Sequence, residues 1–189
     1  MLTDEQIKLY LDIFKGLTLQ DVQDILQHLE EIHLKPNDIY IRPGEKEKKV
    51  GYIREGLIKA SAINDEEEEI VCLLRWEGQF VGSFNRSAQF VFKAIEPTTV
   101  LELKYDIIEG SSFQNTPLDR IFKEVVFHYL VESIEHLKTF VMLTPEQRYR
   151  QLLHSKPDII NRVPDKYIAN ILGITPVSLS RIRKRMATR

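Results

Sequence analysis

The chain has 189 residues, more than one small core needs and too few for two large domains. With 43% hydrophobic and 29% charged residues, it has the composition of a soluble globular protein, which excludes disordered and fibrous classes. No stretch reaches the roughly 20 apolar residues of a membrane span, and the opening MLTDEQIKLY lacks the basic and apolar regions of a secretory signal, so a cytoplasmic protein without membrane contact is expected.

The net charge of −2 conceals a division along the chain. Pro145 to Arg189 carries ten Lys or Arg against Glu146, Asp158 and Asp165, a net +7, whereas the preceding residues stand at −9. Any attraction to nucleic acid therefore belongs to the tail. Charge alone weighs this reading evenly against a plainly solvated basic end. The single cysteine, Cys72, cannot form an internal disulfide or hold a zinc or iron–sulfur site unaided, and reads as a small apolar residue in the run Ile70-Val71-Cys72-Leu73-Leu74.

In chain order, Thr3-Asp4-Glu5 opens an apolar rhythm at Ile7, Tyr10, Leu11 and Phe14, and Thr18 to Asp21 opens another through Val22, Ile25, Leu26 and Leu29. Both predict short, capped helices. Beyond Glu31 the period becomes two. Residues 33–41, 50–53, 56–63, 70–76, 90–95 and 99–103 are rich in Val, Ile, Leu, Phe and Tyr, and turn residues such as Arg42-Pro43-Gly44 and Glu77-Gly78 separate them. Six or more such strands imply an antiparallel sandwich or jelly roll. The acidic run Asp65 to Glu69 sits at one turn. Successive side chains there point in alternating directions, so it reads as a solvated hairpin tip rather than a cation site.

Asn115-Thr116-Pro117 opens a long helix, about 25 residues to Met142. Phe127, Leu130, Ile134, Leu137 and Val141 follow one another at spacings of 3 and 4, a coiled-coil seam that predicts self-association. Phe122, Val126, Tyr129 and Phe140 form a second row beside it, wide enough to touch the sandwich as well. His128, Glu132 and His136 recur every four residues and read as surface ion pairs rather than metal ligands.

The tail carries the motif with the most functional content. Ala169 supplies a small residue where two helices touch. Gly173 suits the positive backbone angle of a turn, and Ile168, Leu172, Ile174, Leu179 and Ile182 supply the apolar core between the helices. Thr175 suits an N-cap and Pro176 the first helical position. This pattern predicts a helix-turn-helix whose second helix presents Thr175, Pro176, Val177, Ser178, Ser180, Arg181, Lys184 and Arg185 to DNA, with Arg183 also near the phosphates.

With these residues in view, the chain resembles the Crp/Fnr superfamily of transcription regulators. The resemblance runs through Tyr52 to Lys59, Glu77 to Gly82, Lys93 to Glu96, and most sharply Ile168 to Arg181. It implies a cyclic-nucleotide-binding-like β-roll, a dimerisation helix and a winged DNA-reading unit. Two departures qualify it. Members that bind cyclic AMP use Gly-Glu and Arg-Ser or Arg-Thr pairs. Here Gly82 matches, but Ser83 stands at the glutamate position, and Ala88-Gln89 at the Arg-Ser position, in a shortened segment. Arg86 is the nearest cation, and Gly82, Ser83, Arg86, Ala88 and Gln89 are the ligand-pocket candidates. In the reading helix, Arg181 matches the family's base-reading arginine, while Pro176-Val177 replaces an Arg-Glu pair, so a different target sequence is implied, and the few residues after that helix leave no C-terminal wing hairpin of the usual size.

The expectation is an α+β chain: an antiparallel β-roll or jelly roll with N-terminal helices over 1–115, a long dimerisation helix over 116–143, and a C-terminal, winged helix-turn-helix over 144–189. The expected function is that of a homodimeric regulator reading a palindromic site in double-stranded DNA, without response to cyclic AMP. No cofactor is implied, the small-molecule effector is unnamed, and such a regulator can also meet RNA polymerase. The alternative is a β-roll module that binds a protein partner or small ligand without DNA. A cupin-like metalloenzyme is disfavoured because no histidine lies between Leu34 and Phe127.

Overall fold

The computed structural model describes residues 18, 20, 28–45, 49–82, 89–104 and 116–187. The helices expected at 3–14 and 18–29 lie almost wholly outside the described residues. At the end of the second, Leu29 already belongs to a strand. Its apolar positions Leu29, Ile32 and Leu34 are spaced by three and then two, which continues the helical rhythm before it in sequence and hides the change of structure.

Eight strands follow: β1 (Leu29–Leu34), β2 (Ile39–Ile41), β3 (Lys49–Glu55), β4 (Leu57–Ile63), β5 (Glu69–Trp76), β6 (Phe80–Gly82), β7 (Val91–Ala94) and β8 (Thr98–Lys104). They form two antiparallel four-stranded sheets, ordered β1-β8-β3-β6 and β2-β7-β4-β5. Strand β6 has no counterpart among the expected strands, because three residues directly after the turn at Glu77-Gly78 are too few to show a period, and the strand expected over 33–41 is instead the end of β1 and all of β2, which lie in different sheets.

The space between the sheets is filled by Ile41, Ile53, Ile58, Ala60, Val81, Phe92 and Val100. Backbones approach closely here. A Cβ on Gly51 would collide with Val100 and lie 2.7 Å from the Tyr40 hydroxyl. Gly56 turns the chain from β3 into β4 at φ +98, where any side chain would be strained. In β4, Leu57, Ile58, Lys59, Ala60 and Ser61 are all buried instead of alternating. The reason is that Ile58 and Ala60 face the other sheet, while Leu57 joins a second core with the C-terminal helices.

The hairpin after β4 is tied by Asn64, whose Oδ1 accepts from the N–H groups of Glu66 and Glu68 at 3.0 and 2.8 Å. The acidic run that follows is not a uniformly solvated tip. Its last member, Glu69, enters β5 and pairs with Lys59 at 2.7 Å, giving that buried ammonium a counter-charge.

Five helices complete the fold: α1 (Pro117–Met142), α2 (Pro145–Ser155), α3 (Ile159–Arg162), α4 (Asp165–Ile171) and α5 (Pro176–Ala187). Thr116 caps α1 by accepting from the Asp119 N–H, with proline in the first turn. Tyr129 donates to the Phe80 carbonyl at 2.6 Å and Arg75 pairs with Glu132, so one side of α1 is fixed to the strands. No strand follows β8 among the described residues. The winged form implied by the family resemblance is therefore not found there, and the single turn of α3 connects α2 to α4.

Candidate nucleic-acid interface

Helices α2 to α5 are built around Tyr149, Ile159, Val163, Ile168, Ala169, Leu172, Leu179 and Ile182, all buried. Thr144 and Gln147 form a reciprocal capping box that starts α2 directly after α1 ends. Arg148 then secures two helix ends at once. Its guanidinium donates to the Leu172 carbonyl at 2.8 Å and to the Leu143 carbonyl at 2.7 Å, satisfying acceptors that the ends of α4 and α1 leave over. In the sequence Arg148 is legible only as a charge.

The turn between α4 and α5 is made by Gly173 at φ +65. Thr175 caps α5 by accepting from the Ser178 N–H at 3.2 Å, and Pro176 is the first helical residue. The capping and the turn expected from sequence are thus present. Leu179 and Ile182 point into the core, which leaves Pro176, Val177, Ser180, Arg181 and Lys184 exposed on the other side of α5. Thr175 is exposed beside them. Ser178 is half-buried, its hydroxyl 3.0 Å from that of Thr175.

Two arginines behave differently from the rest of this face. Arg183 turns inward, donating to the Tyr149 hydroxyl at 3.0 Å and pairing with Asp165 at 2.7 Å. It joins α5 to α2 and α4, which corrects the expectation that it lies toward phosphates. Arg185 is exposed but sits 3.2 Å from Glu146, a carboxylate it shares with Arg150. Much of the tail's positive charge is committed internally, and the exposed α5 face is narrower than the sequence count suggests.

These helices dock on the sheet β2-β7-β4-β5. Asn170 Oδ1 accepts from the Val71 N–H at 3.2 Å, and Lys59 Nζ donates to the Tyr167 hydroxyl at 3.0 Å. Arg162 pairs with both Glu77 and Glu96, and Lys156 reaches Glu77 at 3.0 Å. Burial pushes the Glu77 carboxyl up, but hydrogen bonds from Arg162 and Lys156 outweigh it and hold the pKa down at about 2.

The remaining predicted residues fall in two places. Phe127, Leu130, Ile134, Leu137 and Val141 form a row on α1 that is between 56 and 74% exposed. Among the ligand-pocket candidates, Gly82 is buried at the end of β6 and Gln89 is exposed, while Ser83, Arg86 and Ala88 lie outside the described residues. In the histidine row of α1, Glu132 is taken by Arg75, and His136 packs edge-on against Phe140 at 5.1 Å.

No family model and no curated protein matches the chain by sequence. Solved structures do. CLP, a c-di-GMP-responsive global regulator of Xanthomonas campestris, is 16% identical and superposes with a TM-score of 0.65 over 90% of this chain and 92% of its own. FixK2 from Bradyrhizobium japonicum gives a TM-score of 0.72 at 15% identity, over 85% of each chain. A protein from Eubacterium rectale described as a Crp/Fnr-family transcriptional regulator gives 0.68 at 15% identity, over 95% of this chain and 88% of its own. The chain has the Crp/Fnr-type fold. The two antiparallel sheets, the long helix α1 and the terminal helices are the described elements of that fold. CLP and the Eubacterium rectale protein are both described as regulators. No helix among the described residues is long and apolar enough to cross a membrane.

Proposed function

We infer that the protein is a homodimeric DNA-binding transcription regulator, with α4 and α5 as a helix-turn-helix and α5 as the reading helix. The observation that carries this reading is the division of α5. Leu179 and Ile182 anchor it, and Thr175, Pro176, Val177, Ser180, Arg181 and Lys184 stand exposed on a helix set by the turn at Gly173. Arg181 suits a bidentate contact to guanine and Val177 a thymine methyl, while Lys184 and Arg185 suit phosphates. The apolar row from Phe127 to Val141 supports pairing of two copies of α1, with residues 1–115 as the sensor unit, 116–143 as the dimer helix and 144–189 as the DNA reader. Ser83, Ala88 and Gln89 in place of an acidic and a basic pair support a sensor that does not respond to cyclic AMP. The regulator identities of CLP and the Eubacterium rectale protein agree with a role outside catalysis.

The test is a selection from random double-stranded DNA, followed by titrations of the full chain and its Arg181→Ala variant at two salt concentrations. A palindrome should be enriched with half-sites about 34 Å apart, one helical turn, because two helices must enter successive major grooves. No enriched sequence, together with equal affinity of the variant, would reject the reading and leave a β-roll module for another partner.

A further inference from the structure

A cavity of about 420 Å³ lies outside the two sheets, between β5, the C-terminal half of α1, and helices α2 and α4. β5 is the last strand of its sheet, and Cys72 to Trp76 along it line this space. None of the lining residues belongs to the segment from Gly82 to Gln89, and the site is distinct from the pocket candidates named above. Its volume falls in the lower part of the roughly 300–1,000 Å³ range typical of small-molecule sites.

The walls divide by chemistry. Leu74, Trp76, Leu152 and Ile171 make one side apolar. On the other side the charges are mostly committed: Glu132 to Arg75, Glu135 to Lys138 at 3.1 Å, and Arg148 to the carbonyls of Leu143 and Leu172. One donor is left over. Arg75 is 5% exposed, and its Nε–H has no hydrogen-bond partner, the single such buried side-chain atom among the described lining residues. A buried guanidinium N–H without an acceptor is unusual and is met by an anion or water when one is present. Beside it, burial and then the Arg75 charge lower the pKa of His136.

We propose that this cavity binds a small amphipathic organic acid, with its carboxylate at Arg75 and its apolar body against Trp76 and Leu152. The occupant would touch the β-roll, the long helix and the terminal helices together, so binding would favour the docked arrangement of these three parts. This inference does not depend on DNA binding.

Trp76 is the only tryptophan of the chain, so its fluorescence reports the site directly. The full-length protein is titrated with 4-iodobenzoate, whose iodine quenches tryptophan, and with the neutral 4-iodobenzamide. The acid should quench saturably with a midpoint of about 10–100 µM, and the amide at least tenfold more weakly. Ser133 is an exposed lining residue, so Ser133→Phe should abolish the saturable phase while leaving the melting temperature unchanged. Arg75→Lys, which keeps the charge but not the planar donor set, should weaken the acid about tenfold and leave the amide unaffected. Linear quenching by the acid, equal saturation by acid and amide, or unchanged saturation in Ser133→Phe would each overturn the proposal.

Discussion

Arg162 and Glu77, 85 residues apart in sequence, meet with Nη1 3.1 Å from Oε2 across the junction of the terminal helices and the β-sheet. Glu96 grips the same guanidinium from the neighbouring strand connection, and Lys156 adds a second cation to Glu77. The cluster is partly shielded, with the Arg162 side chain only 18% exposed, so its hydrogen bonds are stronger than those of a surface pair. Arg162→Ala leaves Glu96 without its cation and Glu77 with Lys156 alone. Docking should weaken by about 2–3 kcal/mol, read as a lower denaturant midpoint and faster proteolysis between α1 and α2. A midpoint equal to that of the unmodified chain would show that the apolar contacts of Leu57, Val71 and Leu74 hold the helices alone.

The same cluster sets an acid limit. The folded Glu77 carboxyl titrates near 2, below the value of about 4.3 in an unfolded chain. A depressed folded pKa contributes stability that is present above the unfolded value and is lost as pH falls toward the folded one. The melting temperature should therefore drop between about pH 5 and 2. Glu77→Gln should flatten that part of the profile while lowering stability at neutral pH. A profile of unchanged shape in the variant would remove Glu77 from the account.

On α1, replacing Ile134 and Leu137 with Glu places four carboxylates in a paired seam. Both residues are exposed in the single chain, at 56 and 65%, so neither substitution disturbs its own core. Light scattering should give a dimer for the unmodified protein at micromolar concentration and a monomer for the variant, with helical content retained. A monomer before substitution would discard the seam.

Elements whose signal is local were legible in the sequence. Thr116-Pro117 and Thr175-Pro176 cap helices by chemistry confined to a few residues, and the period-two runs mark most strands of the two sheets. What was not legible depends on the tertiary register. Nothing near Arg183 says that Tyr149 and Asp165 lie within its reach, and Asn170 reaches Val71 only because α4 lies along β5. The wing was an expectation carried by resemblance alone, and no strand follows β8 among the described residues. The cavity at Arg75 combines residues from β5, α1, α2 and α4, a juxtaposition that no local pattern encodes.

Gly173 links the turn of α4 and α5 to the long helix. A Cβ there would lie 2.8 Å from Phe140 Cε1, on a backbone at φ +65 that disfavours side chains. Gly173→Ala should cost about 1–2 kcal/mol from the backbone, with a further loss from the contact. Phe140→Leu in the same chain should recover only the contact part, so a double-mutant cycle in denaturant should show coupling between the two positions. Additive effects would mean that the ring moves aside freely.

The two arginines on α5 should separate stability from recognition. Arg183 is held by Tyr149 and Asp165, and its removal breaks bonds between α5, α2 and α4. Arg183→Ala should lower the melting temperature and weaken DNA binding only as far as it unfolds the terminal helices. Arg181 is exposed on the opposite side from Leu179 and Ile182. Arg181→Ala should leave the melting temperature within experimental error. On the selected palindrome it should cost about 1–3 kcal/mol and relax preference at one base pair in each half-site. Lys184→Ala should weaken all sequences alike and reduce the slope of log affinity against log salt by about one per helix. If Arg183→Ala changes base preference without changing stability, α5 meets DNA rotated about its own axis, and Arg183, not Arg181, faces the groove.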